Sequence, residues 1–288
     1  MDLSQYIVPL ITGIASGLIL YLSAAGMNLM ISGLGVINFG QGAFFVLGAG
    51  VCLAVGTATD SLLLGLLAGT AVTFVLGGTL EFALRPVVGK KMELTLMITM
   101  GIAYILNDIF ELMWGASVRT LSIPAWLRGL VKIGSVPIPK YYLFIIAASL
   151  LIALAFWIVF EKTKLGMQFR AIISNRDMVN ALGINVKLTY MLMFMIGIAL
   201  SGFAGALNLP ISGFSSSGAM GAFGSIVPIL VIGGLGNIQG TFPAAIFIGI
   251  VSALAALFAP KMYNLVPTIV MVLVIIFKPQ GLFARKER

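Results

Sequence analysis

Runs of about twenty apolar residues follow one another along almost the whole of this 288-residue chain. That is the length of a helix crossing a ~30 Å hydrocarbon layer, and it leaves few folds open. Inside a bilayer the backbone has no water to bond to, so only helices and closed barrels span it. A barrel would show segments of about ten residues with alternating polarity; here the runs are continuous. Only 9% of the residues are charged, against roughly 25% in an ordinary soluble domain. So little charge cannot cover a water-facing surface. The chain reads as an all-α polytopic membrane protein, one transmembrane domain over residues 1–288.

Nine apolar segments are predicted, at about 7–31, 38–58, 61–84, 95–114, 141–160, 188–211, 218–234, 241–259 and 264–278. The longer connections are 115–140 and 161–187. Basic residues give the orientation. Arg85, Lys90 and Lys91 lie in one loop; Lys162, Lys164, Arg170, Arg176 and Lys187 in another; Lys278, Arg285, Lys286 and Arg288 at the end. Even numbers of spans separate these groups, so they share a side, and the excess of Lys and Arg makes that side cytoplasmic. The N-terminus is then outside and the C-terminus cytoplasmic. Re-entry of 38–58 in place of a full crossing would invert the N-terminus. Arg119, Arg128, Lys132, Lys140 and Lys261 fall on the outer face. The first run follows Asp2 with no basic region and is too long for a signal core, so it reads as a span.

Several chemistries are excluded by composition. With no histidine, Ser-His catalysis, His-ligated zinc and His-ligated haem are unavailable. The single cysteine, Cys52, sits in an apolar run and makes no disulfide framework or metal cluster. No cofactor or metal is expected. The +8 charge is spread over membrane flanks, where it sets topology rather than nucleic-acid binding. Gly89-Lys90 precedes Lys91 rather than Ser or Thr, so it closes no phosphate-binding loop, and any ATP chemistry belongs to another polypeptide. Glu81 and Arg85 are spaced for an i,i+4 pair. Asp108 and Glu111 share a face near the outer end of the fourth span, either as a cation or proton site or as interfacial residues beside the basic loop.

Glycine makes up 34 residues. Much of it has small-xxx-small spacing, as in Gly13/Gly17, Gly65/Gly69 and Gly197/Ser201/Gly205, which lets helix backbones approach closely in lipid. Two clusters differ, Gly33–Gly42 and Gly233–Gly240, each carrying one Asn and one Gln between apolar runs. They read either as tight turns whose amides cap helices or as broken helices lining a pathway. Asn38 and Gln41, with Gly40 and Gly42, are the candidate pathway residues. In loop 161–187, Leu165, Phe169 and Ile172 or Ile173 share a helical face, as do Met178, Val179 and Leu182, and Leu182-Gly183 reads as a helix stop. Such a stretch lies on a membrane surface or docks in a partner's groove.

Taken in order, the motifs resemble the LivH-type permeases of branched-chain amino acid ABC importers. They are Gly35-Val36-Ile37-Asn38-Phe39-Gly40-Gln41-Gly42, Arg85-Pro86, Leu165-Gly166, Ala181-Leu182-Gly183-Ile184-Asn185, Ser201-Gly202-Phe203-Ala204-Gly205-Ala206-Leu207, Gly233-Gly234-Leu235-Gly236-Asn237-Ile238-Gln239-Gly240 and Lys278-Pro279-Gln280-Gly281-Leu282-Phe283. The resemblance implies a non-enzymatic permease subunit in a bacterial inner membrane. It would move branched-chain or other small amino acids or amides inward by alternating access. It also implies a second, paralogous permease, two cytoplasmic ATP-binding subunits and an extracytoplasmic substrate-binding protein. Gly40-Gln41-Gly42 stands where the family often has Ala-His-Gly, which leaves the substrate open.

On this resemblance the Gly233–Gly240 turn, with Gly236, Asn237 and Gln239, forms the core of ATPase coupling. Phe169, Arg170, Arg176, Met178 and Leu182 form its wider footprint. Arg119, Arg128, Lys132 and Lys140 lie in a loop without acidic residues and suit an acidic binding protein. Two other classes compete. A self-sufficient transporter or channel would rely on Asp108 and Glu111. An intramembrane enzyme would need a histidine or paired mid-membrane aspartates.

Overall fold

The computed structural model describes residues 4–87, 92–115, 117–133, 136–263 and 265–284. Gly89, Lys90, Lys91, Arg285, Lys286 and Arg288 lie outside them. The described residues form eleven α-helices: α1 Ser4–Leu34, α2 Gln41–Thr59, α3 Leu62–Leu84, α4 Met92–Trp114, α5 Lys140–Lys162, α6 Lys164–Ser174, α7 Arg176–Ala181, α8 Val186–Ser212, α9 Ala219–Gly233, α10 Ile238–Phe258 and α11 Val266–Phe277. Eight helical segments are long and apolar enough to cross a membrane, α9 by virtue of the single 3₁₀ turn Ser216–Gly218 ahead of it. The segment 38–58 is a full-length helix, α2, of 19 residues.

The ninth segment is different. α11 has 12 residues, about 18 Å of helix, short of a ~30 Å hydrocarbon layer. The chain nevertheless returns. Beyond α11, the Leu282 N–H donates to Ile232 O at the end of α9 (2.8 Å). The residues after α11 are thus back at the face α10 left, and the last crossing is made partly by non-helical chain.

The described parts of the three basic segments gather at one end of the bundle. Arg85, Arg176 and Lys187 line a common cavity there, Glu161 meets Gln239, and the residues after α11 meet the α9–α10 turn. At the opposite end the α2–α3 link shares a cavity with Pro124–Arg128. The all-α reading of the bundle holds, and one short non-helical element is added to it at this end. Part of 115–140 is an antiparallel hairpin, β1 Leu130–Ile133 and β2 Val136–Pro139. Val131, Ile133, Val136 and Ile138 favour strand over helix, and the prolines suit a two-stranded edge.

α2 and α8 are the most buried spans; α1 and α3 pack around them, and α10 packs on α1 and α9. Hydrophobicity gives no net drive between helices in lipid, so close backbone contact takes its place. α1 meets α10 where a β-carbon on Gly13 or Gly17 would lie 2.5 Å from Gly249 O or Ala245 O respectively. α4, α5 and α11 lie outside and turn apolar side chains such as Met97, Leu151 and Ile276 outward.

Loop 161–187 is two helices rather than one. Asn175 ends α6, and its Oδ1 accepts from Met178 N to start α7 (3.0 Å). Gly183, with φ +78°, ends α7 in the left-handed region that glycine tolerates.

Candidate translocation and coupling sites

Between α1 and α2 the chain is irregular, and it lies inside the bundle. Gln41 Nε2 donates to Ser23 O (3.1 Å) and Gly197 O (3.2 Å). Ser23 stands eleven residues before the end of α1 and Gly197 eleven into α8, so α2 begins about 16 Å in from that end. Asn38 and Gln41 are fully buried. Asn38 Oδ1 accepts from Gly40 N (2.9 Å), and its Nδ2 lies 3.5 Å from Gln41 Oε1. Thr99 Oγ1 accepts from Phe39 N (3.2 Å), and Ser201 Oγ donates to Gln41 O (3.0 Å). Irregular backbone at membrane depth needs protein or water to satisfy it; here the partners are protein atoms. Gly40 precedes α2, and Gly42 lets α2 meet α9 where a β-carbon would collide with Ala219 O. The four candidate pathway residues thus form one polar knot joining α1, α2, α4, α8 and α9.

A groove of about 270 Å³ runs beside the knot. Phe45, Val46 and Phe214 supply apolar wall, and Asn208, Ser212 and Ser225 supply polar groups. Ser212 Oγ donates to Asn208 Oδ1 (3.3 Å). Where α9 borders the groove it is small and exposed: a β-carbon on Gly221 would meet nothing within 4 Å, nor would one on Gly224 nearby. Sequence reasoning passed over this groove. The signal was there in Ser215-Ser216-Ser217-Gly218 followed by small residues at 221, 222, 224 and 225, an unsuitable face to turn toward lipid.

The α9–α10 turn is held from two sides. From α1, buried Asn28 accepts from Gly236 N through Oδ1 (2.9 Å) and donates to Thr241 Oγ1 (2.6 Å), while Ser32 Oγ donates to Gly236 O (2.6 Å). From the other side, Asn237 Nδ2 donates to Phe283 O (2.9 Å) and Gly233 O (3.0 Å). Its Oδ1 accepts from Gly240 N and caps α10. Gly234 and Gly236 have φ of +91° and +80°, values that favour glycine. Leu235 between them is 59% exposed. Gln239 is exposed and donates to Glu161 Oε1 (3.3 Å).

The wider footprint divides. Met178 and Leu182 are exposed, whereas Phe169 is 1% exposed and anchors α6 in the core. Periodicity identified the apolar face of α6, but the chain's own bundle covers that face. Arg170 donates to Phe160 O and lies 3.6 Å from Glu161; the Arg176 guanidinium sits 5.4 Å from the Tyr190 ring centre.

At the opposite end, Arg119 exchanges backbone bonds with Phe214 (3.0 and 2.6 Å), which ties the basic loop to the groove's rim. Arg119, Arg128 and Lys132 are exposed, Lys140 is half-buried, and none of the four pairs with an acid among the described residues. Arg128 Nε donates to Ile123 O (2.5 Å). Asp108 and Glu111 are exposed on α4. Glu81 and Arg85 form the expected i,i+4 pair at 2.7 Å.

A bundle of apolar crossing helices, a small-residue groove opening on one side of it and a rigid turn at one end are the features of a multi-pass membrane permease. The chain belongs to the family described as the branched-chain amino acid transport system permease component, whose model matches residues 10–275. It is 27% identical to the high-affinity branched-chain amino acid transport system permease protein BraD of Pseudomonas aeruginosa, covering 99% of this chain and 98% of that protein. It is 26% identical to the corresponding LivH proteins of Escherichia coli K12 and Salmonella typhimurium, over 98% of this chain and 96% of each relative. No solved structure matches the chain. Membership makes it a transport subunit of an inner membrane, not an enzyme, working with separate ATP-binding and substrate-binding partners.

Proposed function

We propose that this chain is the translocation subunit of an ATP-driven importer of branched-chain or similarly small amino acids or amides. Its substrate would pass along the groove between α2, α8 and α9. The observation that carries the reading is the character of that groove, mostly apolar wall with a few polar groups, the usual make-up of a small-molecule site. The bare glycine face of α9 suits close approach by another helix, so a second, paralogous permease would complete the path. Asn38, Gly40, Gln41 and Gly42 would act by fixing α2 as one wall of the groove.

The gathering of basic segments at one end supports a cytoplasmic assignment for that end, with the N-terminus outside. Two ATP-binding subunits would grip there, at Leu235, Gly236, Asn237 and Gln239, with Met178, Leu182, Arg170 and Arg176 as flanks and Phe169 as the anchor beneath. A push on the turn would reach α9 directly and so alternate access to the groove. Replacing Ser212 or Ser225 with Trp is expected to lower uptake about tenfold or more by filling the path, with the assembled complex still hydrolysing ATP. Wild-type uptake in either variant would move the path elsewhere.

The basic outer loop would receive an acidic binding protein. For Arg119→Glu with Arg128→Glu, uptake driven by that protein is expected to fall several-fold at low salt and to converge with wild type at high salt, because screening removes the steering. An unchanged salt profile would rule the docking role out.

A further inference from the structure

A second cavity, of about 400 Å³, lies between α5, α1 and α10 and plays no part in the path described above. Aromatic rings make much of its wall: Tyr21, Phe156, Trp157, Phe160 and Phe242. Tyr21 and Phe242 meet edge to face at 5.1 Å and brace α1 against α10. On the outer side it is open, since Leu150, Leu154 and Trp157 are all exposed. One end stops at Glu161 and Gln239, at the basic end of the bundle. Two cations stand there. Lys162 Nζ lies 5.7 Å from the Trp157 ring centre, and the Arg170 guanidinium lies 5.7 Å from that of Phe160.

We infer that this cavity is a binding site for an anionic phospholipid, with an acyl chain along the aromatic wall and the phosphate at Lys162, the cation there that no carboxylate engages among the described residues. An aromatic ring with a cation over it at the end of a span is the signature of the bilayer interface. Basic groups between helices at that level take lipid phosphate. Glu161 is already engaged by Arg170 and Gln239, so it does not cancel Lys162. The glycine face of α9, which suits a second protein, contributes nothing to this cavity, and α5 turns its own apolar residues outward. On the coupling reading above, a lipid here would also brace the α9–α10 turn; binding is measured alone below and is independent of that reading.

The test uses the chain's own fluorescence. Trp114→Phe with Trp126→Phe leaves Trp157 as the sole tryptophan of the three. The full chain is reconstituted in vesicles of phosphatidylcholine, with brominated phosphatidylglycerol or brominated phosphatidylcholine added in steps. Brominated phosphatidylglycerol is expected to half-quench Trp157 at about a fivefold lower mole fraction, the effect of one basic residue at an anionic lipid. Lys162→Gln should bring the two curves together. Ala153→Phe, which fills the cavity, should weaken quenching by both. Equal quenching by the two lipids in the parent would mean ordinary surrounding lipid, and no quenching by either would mean that protein covers the cavity. Either result overturns the inference, as does an Ala153→Phe variant that quenches like the parent or a lipid preference that survives Lys162→Gln.

Discussion

Replacing Gly48 with leucine is expected to cut the amount of folded protein in the membrane to about a tenth or less, since overpacking of 1–3 kcal/mol or more changes abundance several-fold. Gly48 of α2 lies against the backbone of Gly202 in α8, where a β-carbon would overlap the main chain, and a β-carbon on Gly69 of α3 would come within 2.6 Å of Gly48 O. Three spans therefore meet at glycines, and backbone cannot move aside as a flexible side chain can. The matched control is Gly101→Leu in α4, where a β-carbon meets nothing within 4 Å; it should accumulate normally. Immunoblots of membranes and thermal unfolding in detergent read both. Equal abundance of the two variants would show that the glycine contacts do not hold the bundle together.

Asn237→Ala is expected to reduce uptake about tenfold while the complex still assembles and hydrolyses ATP. The substitution removes a helix cap worth roughly 1 kcal/mol and the side-chain link to Phe283. Leu282→Pro attacks the same clasp through the backbone: proline has no N–H, so the bond to Ile232 O is lost. Its uptake should fall likewise. The ratio of substrate moved to ATP hydrolysed in proteoliposomes separates loss of coupling from loss of fold. Wild-type ratios in both variants would mean that the clasp is ornamental to transport.

The spans were legible because lipid makes the rule simple: a crossing needs length and apolarity, and every long helix found here was visible as a run. What the rule does not see is how far a helix regularises. α11 is short because Pro260 and Pro267 bracket its start and Lys278-Pro279 ends it, and such breaks are tolerated where protein takes up the freed backbone. The hairpin in 115–140 was missed because four-residue strands carry almost no periodic signal. At the sites, the two glycine clusters were legible as irregular, polar and near helix ends. Their partners were not. Asn28 reads from the sequence as one polar residue in a long apolar helix, and its bond to Gly236 spans 208 positions. Phe169 shows the converse: its helical face was correctly apolar, but periodicity does not tell which surface will cover it.

The buried link between α1 and α2 has a consequence for how the protein is made. Some of its polar groups find their partners late, on α8: Gln41 bonds across 156 positions to Gly197 and across 160 to Ser201. At ~5–20 residues per second of synthesis, α2 exists for about 8–30 s before either partner does. During that interval the start of α2 lacks its two bonds to α8, and bare lipid offers no substitute for them. The set of bonds that holds α2 at its depth is therefore complete only once α8 arrives. In this permease a late-made helix closes the polar core around an early one, so the core is expected to lock after the first spans have been made.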